Sequence, residues 1–325
     1  MKTIFSGIQP SGVLHIGNYL GALKQWVELQ ENNMAYFCIV DLHAITVPYD
    51  TELVPEHILN AAAAYLAAGV DPEKSTIFVQ SRVPAHTELA WLLSTQTPFG
   101  DLVRMTQFKE KSAQQKNGET LGLFAYPVLQ AADILLYQAD LVPVGKDQVQ
   151  HIELTRDIAK RFNNRFGEVF TIPAARLHTQ TARIMSLTDP KKKMSKSGEP
   201  KSYIALTDTR DSIRQKIMGA VTETEPVFSF TESGPAVHNL LSIYQALSGE
   251  ASAAIEKKFS GAGYKAFKET LADLIIATLE PIQQRYAAYR QPDKLRKILA
   301  SGAERVTVTA NNTLESVKQA MGLTV

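Results

Sequence analysis

Hydrophobic and polar residues follow two different patterns in the first half of the chain. Short continuous apolar runs predict strands, whereas apolar residues three and four positions apart predict helices. The strands are predicted at residues 3–8, 35–41, 75–80 and 141–144, and the helices at residues 17–31, 55–68, 86–95 and 148–166. Because strands and helices alternate, we expect an α/β fold with a doubly wound parallel sheet and helices on both faces.

The pattern changes beyond about residue 186, where the strand signals fade. Helical spacing recurs at residues 211–220, 236–248, 263–288 and 312–321. A loop at residues 189–200, which carries lysines and a glycine, interrupts the periodicity between the two halves. We therefore predict a Rossmann-like domain at residues 1–186, followed by a C-terminal α-helical domain at residues 187–325.

Composition excludes several classes of protein. The chain has 325 residues, of which 45% are hydrophobic, so it can bury a sizeable core. Its net charge is only +1, so a nucleic-acid partner would have to bind local basic patches. The one cysteine, Cys38, rules out an intrachain disulfide framework, and its apolar neighbours predict a buried thiol.

Two further absences in the sequence predict where the protein works. No stretch after Met1 resembles a signal peptide. The longest apolar-looking stretch, residues 60–70, is alanine-rich and too short to span a bilayer. We therefore expect a cytoplasmic protein without a membrane partner.

The first segment with chemical potential follows the first predicted strand. Residues 9–12 lead from that strand into a helix that begins near Gly17. A helix N-terminus offers unpaired N–H groups to phosphate, and Gly17 allows close approach because it has no side chain. His15 and Asn18 add side-chain donors. The alternative is that Gly12 and Gly17 only shape a turn, and neither the G-x-G-x-x-G spacing nor a P-loop is present.

The second segment is rich in lysine. Residues 191–198 place four lysines within six positions, at 191, 192, 193 and 196. Such a run is usually a solvated basic loop. The alternative is a loop that places ammonium groups on a polyphosphate, whose reactions depend on charge stabilisation. Met194, which lies between the lysines, predicts that part of the loop packs on an apolar surface.

Together the two segments resemble the motif pair of class I aminoacyl-tRNA synthetases. His15-Ile16-Gly17-Asn18 resembles the HIGH motif of a nucleotide-binding domain, and residues 193–197 are the KMSKS motif unaltered. Residues 5–12, 41–46, 104–109, 131–137 and 142–145 resemble the tryptophanyl-tRNA synthetase family. The resemblance implies a ligase that converts L-tryptophan to its adenylate with ATP, releases pyrophosphate, and transfers the tryptophanyl group to tRNA(Trp).

The resemblance also implies the site residues. ATP contacts fall on Gln9, Pro10, Ser11, Gly17, Asn18, Gly145, Lys146, Asp147, Ile184, Lys193, Met194, Ser195, Lys196 and Ser197, among which Asn18, Lys193 and Lys196 would be catalytic. The tryptophan pocket falls on Phe5, His43, Tyr126, Gln130, Asp133 and Gln148. Asp133 would accept the indole N–H. Without the resemblance, Asp133 would be read as a solvated helix carboxylate and His43 as a satisfied strand-end histidine.

The sequence departs from the family pattern at two positions that matter for the substrate. Lys146 stands where the family usually has Glu, which puts a role for its side chain in doubt. Gln130 stands where tryptophanyl enzymes often have Met, so residues 126–133 also fit the Tyr-x-x-x-Gln-x-x-Asp pattern of tyrosyl enzymes. Tyrosine is therefore the alternative substrate. Phe5 favours tryptophan, because it occupies the place of a tyrosine that bonds the phenol in tyrosyl enzymes.

The resemblance implies partners as well. Magnesium would arrive with the ATP phosphates, with no tightly bound cofactor and no protein metal site. The helical half would recognise the tRNA anticodon, and the family forms homodimers. A catalytically silent relative or a small HIGH-type nucleotidyltransferase are the other classes. The intact lysine motif disfavours the first, and the KMSKS loop with the long helical half disfavours the second.

Overall fold

Five parallel strands form the sheet at the centre of the computed structural model, which describes residues 1–10, 12–107, 120–177, 184–195 and 198–324. The strands are β1 (Thr3–Ile8), β2 (Met34–Ile39), β3 (Ser75–Val79), β4 (Leu141–Val144) and β5 (Ala174–Leu177). Their order across the sheet is β3-β2-β1-β4-β5. The chain therefore builds outward from β1 in one direction, then returns to its other side. That reversal creates a crevice at the carboxyl ends of β1 and β4, where open α/β sheets bind ligands.

The helices of the first half connect these strands. The first, α1 (Ile16–Asn18), continues through a π-helical segment, Tyr19–Leu23, into α2 (Lys24–Leu29). It is followed by α3 (Asp41–Ala44), α4 (Val54–Ala68), α5 (Ala85–Ser94), α6 (Phe99–Val103), α7 (Leu121–Leu135) and α8 (Val149–Phe166). Short 3₁₀ turns occupy Gln80–Arg82 after β3 and Lys146–Gln148 after β4.

Helices make up the regular structure described beyond residue 186, apart from one 3₁₀ turn at Pro200–Ser202. They are α9 (Arg210–Met218), α10 (Pro235–Ser248), α11 (Ser252–Phe259), α12 (Tyr264–Tyr289) and α13 (Pro292–Ala320). The predicted fold class is confirmed, because a parallel α/β sheet is followed by a helical region. No described helix combines the length and the apolar character that crossing a bilayer requires.

The core holds the helix of the first motif against the sheet. Trp26 on α2 is fully buried, and its ring stacks on Phe37 of β2 with centroids 4.5 Å apart. The Tyr65 ring of α4 meets the same indole edge-on at 5.0 Å. Such aromatic burial dominates core energetics and fixes ring orientation. The start of the first helix is therefore placed rigidly at the end of β1.

The thiol of Cys38 is fully buried in β2, as predicted. Burial raises the pKa of this thiol well above its ordinary value, and the nearby carboxylates of Asp133 and Asp41 raise it further. Cys38 is consequently a neutral core residue.

The last helix differs most from its prediction. It was predicted to begin at residue 312, but α13 begins at Pro292, and this prediction is wrong. The sequence obscured the helix because Gly302 and the β-branched run at residues 306–309 disfavour one. Packing supplies the reason for Gly302: a Cβ there would lie 1.9 Å from the carbonyl oxygen of Ile77 in β3. The C-terminal helix thus crosses directly over the sheet of the first half.

Candidate active site

The first motif begins its helix with a capping box. The backbone N–H of Gly17 donates to Nδ1 of His15 (3.1 Å), and the backbone N–H of His15 donates to Oδ1 of Asn18 (3.0 Å). A Cβ on Gly17 would lie 2.9 Å from the His15 ring. A side chain at position 17 would therefore displace the His15 ring that caps the helix. Because the cap uses Oδ1 of Asn18, the group that this side chain can offer a ligand is Nδ2.

The backbone of the first motif pairs with the segment that follows the lysine loop. His15 and Ala205 form an antiparallel bridge. The N–H of Ile16 donates to the carbonyl of Ile204, and the N–H of Leu206 donates to the carbonyl of Leu14, both at 2.9 Å. Backbone hydrogen bonds therefore join the first motif to the segment that follows the second motif.

The second motif forms a short hairpin beside the first. Met185 and Lys193 are bridged, with hydrogen bonds from the Ser186 N–H to the Lys192 carbonyl (2.8 Å) and from the Met194 N–H to the Ile184 carbonyl (3.0 Å). Met194 is only 2% exposed, so the prediction that it packs on an apolar surface is confirmed. We call residues 184–195 the KMSKS hairpin.

Close contacts connect this hairpin to the rest of the crevice. Cβ of Ile184 lies 3.8 Å from the position that a Cβ on Gly17 would take. The ammonium of Lys193 lies 3.4 Å from a carboxylate oxygen of Asp147, in the turn after β4. Partial burial raises the pKa of Asp147, but the charge of Lys193 and hydrogen bonds outweigh this effect and lower it below its ordinary value. Asp147 is therefore a carboxylate at neutral pH.

A buried carboxylate lies at the other end of the crevice. Asp133 of α7 is 1% exposed and accepts hydrogen bonds at both oxygens. His43 Nε2 donates to Oδ2 (2.7 Å), while Gln80 Nε2 (2.7 Å) and His86 Nδ1 (2.6 Å) contact Oδ1. Nε2 of His86 in turn contacts the Tyr137 hydroxyl at 2.8 Å. The interpretation of Asp133 as a solvated carboxylate is therefore wrong.

The surroundings of Asp133 keep it ionised. Burial alone would raise its pKa, but the charges and hydrogen bonds of His43 and His86 prevail and lower the pKa to about 2. An ionised carboxylate is an acceptor only, so a ligand that meets it must bring a donor. An indole N–H satisfies this condition.

A row of amides and hydroxyls joins the two ends of the crevice. The Tyr126 hydroxyl contacts Nε2 of His151 (2.9 Å) and donates to Oε1 of Gln107 (3.3 Å). Gln130 Nε2 lies 3.5 Å from Oε1 of Gln148. Gln107 Nε2 in turn donates to the backbone carbonyl of Asp147 at 3.0 Å. These hydrogen bonds link Tyr126, through Gln107, to the turn that carries Asp147.

Phe5 lies beneath this row. Its ring is 4% exposed and stacks on Tyr137 with centroids 5.5 Å apart. Tyr137 also contacts His86, one of the residues bonded to Asp133. A single side chain therefore separates the Phe5 ring from that group of residues. Phe5 is therefore a core residue that packs behind the side chains bonded to Asp133 and offers no hydrogen-bond donor.

The structure brings most of the predicted site residues to one crevice. At the charged end lie the residues Gly17, Asn18, Gly145, Lys146, Asp147, Ile184, Lys193, Met194 and Ser195, and at the aromatic end lie Phe5, His43, Tyr126, Gln130, Asp133 and Gln148. Gln9 and Pro10 follow β1 directly. The predicted contacts Ser11, Lys196 and Ser197 fall outside the described residues. Within the described ranges, no three His, Cys, Asp or Glu side chains are grouped as a metal site would require.

Sequence reasoning missed several residues of the crevice. Gln80 could have been found, since it follows β3 directly at the carboxyl edge of the sheet, where ligands bind. His86 and His151 carry no such signal, because they lie within helical segments and reach the site through packing. Tyr137 likewise follows α7 without any polar pattern.

Known proteins resemble this chain in sequence and in fold. The model of the family described as tRNA synthetases class I (W and Y) matches residues 1–280. A tryptophan–tRNA ligase of Halalkalibacterium halodurans is 52% identical over 324 residues, which cover 99% of this chain and 98% of that relative. The crystal structure of tryptophanyl-tRNA synthetase from Mycoplasma pneumoniae has a TM-score of 0.92 at 36% identity, covering 100% of this chain and 98% of the other. The tryptophanyl-tRNA synthetase from Campylobacter jejuni, solved with ADP and tryptophan, has a TM-score of 0.82 at 36% identity, covering 99% and 100%.

Proposed function

The chain belongs to the tryptophan and tyrosine family of class I tRNA synthetases, and from this premise we propose how its crevice works. The protein is a tryptophan–tRNA ligase, which activates tryptophan with ATP and transfers the acyl group to tRNA. In the first step, an oxygen of the tryptophan carboxylate forms a bond to the α-phosphorus of ATP. The bond from that phosphorus to the bridging oxygen breaks, and pyrophosphate leaves. In the second step, a ribose hydroxyl of tRNA takes the acyl group and AMP is released.

The single observation that carries this proposal is the convergence of the two motifs. The triphosphate lies between the helix start at Gly17 and the KMSKS hairpin, whose contacts with each other are described above. Lys193 and Lys196 neutralise the negative charge that develops on the leaving pyrophosphate, and Asn18 donates from Nδ2. Catalysis consists of orientation and preorganised charge, so no covalent enzyme nucleophile is needed.

Tryptophan occupies the aromatic end. Asp133 accepts the indole N–H, a charge-assisted bond that contributes about 1.5–3 kcal/mol. Phe5 forms an apolar wall below the ring, while Tyr126, Gln130 and Gln148 hold the ammonium and carboxylate groups. The carboxylate of the amino acid then points along the polar row toward the charged end, where the α-phosphate lies.

Tyrosine is the second candidate, since Gln130 and Asp133 fit the tyrosyl pattern. Phe5 disfavours it, because a phenol hydroxyl needs a partner on the first strand that phenylalanine cannot provide. The relatives reported above, at 36–52% identity, are tryptophan enzymes. Tryptophan is therefore the better supported substrate.

Magnesium enters with the ATP, because this ion prefers phosphate oxygens and water to a protein cage. Residues 187–325 form the region that recognises the tRNA, with local basic side chains on the phosphates. The protein acts in the cytoplasm, where its free buried thiol needs no protection.

We propose further that the protein is a homodimer, whose interface covers exposed apolar side chains of the first half. Trp91, Phe99 and Leu121 are 71%, 72% and 79% exposed, although each is a large hydrophobic side chain. Large apolar side chains exposed to this extent are typical of interaction surfaces. Sedimentation of the wild type against Trp91→Glu tests the assignment, with Val308→Glu as a control on another exposed apolar position.

The experiment that tests the function is pyrophosphate exchange with the purified protein, ATP and each of the amino acids in turn. We expect exchange with tryptophan alone. Exchange with tyrosine alone would reverse the substrate, and exchange with neither would overturn the enzymatic assignment.

A further inference from the structure

A buried asparagine of the helical half holds the KMSKS hairpin by its backbone. Asn239 lies on α10 and is 3% exposed. Its Oδ1 accepts from the N–H of Met185 (2.8 Å), and its Nδ2 donates to the carbonyl of the same residue (2.9 Å). One amide side chain therefore satisfies both backbone groups of Met185.

The position of Met185 makes this clamp consequential. The hydrogen bonds of the hairpin run through its neighbours, Ser186 and Ile184, so the N–H and carbonyl of Met185 point away from Lys193. Asn239 takes the place that a third strand would take. Since Lys193 lies directly opposite Met185, any displacement of Met185 moves the lysine as well.

The helix that carries Asn239 is itself attached to the first motif. Lys24 of α2, which continues the first-motif helix, donates from Nζ to the carbonyl of Ala246 near the end of α10 (2.8 Å). Glu223 anchors the start of α10 by accepting from the N–H groups of Ala236 (2.9 Å) and Val237 (3.0 Å). Two turns of α10 thus separate the contact with the hairpin from the contact with the first-motif helix.

We propose that Asn239 is a positioning residue, which fixes the KMSKS hairpin relative to the first motif and so places Lys193 on the triphosphate. It contacts no substrate and acts only through Met185 and the hairpin. The inference rests on the proposed function, because it assigns a role in the step that uses ATP. It also makes α10 the element through which the helical half controls the nucleotide site.

The chain offers a matched control. Asn163 of α8 is also buried, at 5% exposed, and its Oδ1 accepts from the N–H of Phe170 (2.9 Å) while its Nδ2 donates to the Phe170 carbonyl (2.8 Å). It also accepts from the Val169 N–H (3.1 Å) and donates to a carboxylate oxygen of Glu168 (3.0 Å). Phe170 precedes β5, away from the crevice. Asn163→Ala therefore removes at least as many hydrogen bonds as Asn239→Ala does, without touching the hairpin.

The test compares wild type, Asn239→Ala, Asn239→Asp and Asn163→Ala in tryptophan-dependent pyrophosphate exchange, with ATP and tryptophan varied separately. We expect Asn239→Ala to lower kcat/KM for ATP about tenfold or more, since two hydrogen bonds are lost. KM for tryptophan should change less than about twofold. Asn239→Asp should behave alike, because it keeps the acceptor but sets a carboxylate against the Met185 carbonyl. Asn163→Ala should leave kcat/KM for ATP at the wild-type value.

Hydrogen exchange of a peptide that covers residues 185–194 gives a readout besides activity. The peptide should exchange faster in Asn239→Ala and at the wild-type rate in Asn163→Ala. Equal losses of kcat/KM for ATP in the two alanine variants, or unchanged exchange of the peptide in Asn239→Ala, would overturn the inference. If the wild type showed no tryptophan-dependent pyrophosphate exchange, the proposed function itself would be overturned. If Asn239→Ala does not fold, Asn239→Asp is compared with Asn163→Ala and the wild type in its place.

Discussion

The ammonium of Lys193 lies 3.4 Å from a carboxylate oxygen of Asp147 and joins the KMSKS hairpin to the turn after β4. The two side chains are 53% and 42% exposed, so the pair contributes little to the free energy of unfolding. The pair matters because it fixes the position of the Lys193 ammonium. In the mechanism proposed above, the triphosphate replaces Asp147 as the partner of the Lys193 ammonium.

Lys193→Ala should therefore separate catalysis from stability. We expect the turnover of pyrophosphate exchange to fall roughly a hundredfold, because a group that stabilises developing negative charge is lost. The free energy of unfolding should change by less than about 1 kcal/mol. Lys192→Ala is the matched control, since Lys192 makes a similar exposed ion pair with Asp189 at 3.2 Å. Equal turnover in the two variants would contradict the role of Lys193.

Asp133→Asn should weaken tryptophan and spare ATP. The amide has a similar shape, but its nitrogen presents a donor where His43 or Gln80 and His86 already donate. KM for tryptophan should rise by roughly ten- to a hundredfold, corresponding to about 1.5–3 kcal/mol. KM for ATP, measured at saturating tryptophan, should stay within about twofold. A variant that lost affinity for ATP and tryptophan equally would show that Asp133 serves the fold and not the indole.

The sequence predicts the site residues that stand in local motifs, but not those that packing brings to the site. Gly17 and Lys193 stand in motifs whose spacing is local, so they could be found without a structure. Asp133 was found by resemblance, but its burial was not, because the surrounding side chains come from three separate segments. Asn239 could not be predicted at all. It looks like any polar residue of an amphipathic helix, and its partner Met185 is distant in the sequence.

The fold likewise has elements that the local sequence predicts and elements that depend on tertiary packing. The four predicted strands lie within one or two residues of their predicted bounds, because continuous apolar runs record burial on both faces of a sheet. The start of α13 was missed because tertiary packing, which the local pattern does not contain, overrides the low helix propensity of Gly302.

Gly302→Ala should test that packing by the sign of its effect. In an exposed helix, alanine for glycine stabilises by about 1 kcal/mol. Here the added Cβ would lie 1.9 Å from the Ile77 carbonyl oxygen, so backbone has to shift. We expect a loss of about 1–3 kcal/mol in the free energy of unfolding, measured with urea. Ser301→Ala, at the exposed neighbouring position, is the control and should be neutral; a stabilising Gly302→Ala would refute the close approach.

Asp133 also predicts a dependence of stability on pH. Its pKa is about 2 in the folded protein against an ordinary value of 3.8, so the unfolded chain binds the proton first as the pH falls. The stabilisation, about 2 kcal/mol, is present in full above about pH 4 and is lost between about pH 4 and pH 2. Replacing His86 by Phe removes a group that lowers this pKa. The free energy of unfolding, measured with urea, should therefore fall less over the same pH range than in the wild type. An identical slope in wild type and His86→Phe would exclude Asp133 as the source.

The most direct measurement is a crystal structure with tryptophan and a non-hydrolysable ATP analogue. Convergence of the two motifs predicts the triphosphate between Gly17 and the KMSKS hairpin, with Lys193 on its oxygens in place of Asp147. The indole nitrogen should lie within hydrogen-bonding distance of Asp133. A nucleotide bound away from either motif, or an indole that points away from Asp133, would contradict the shared site.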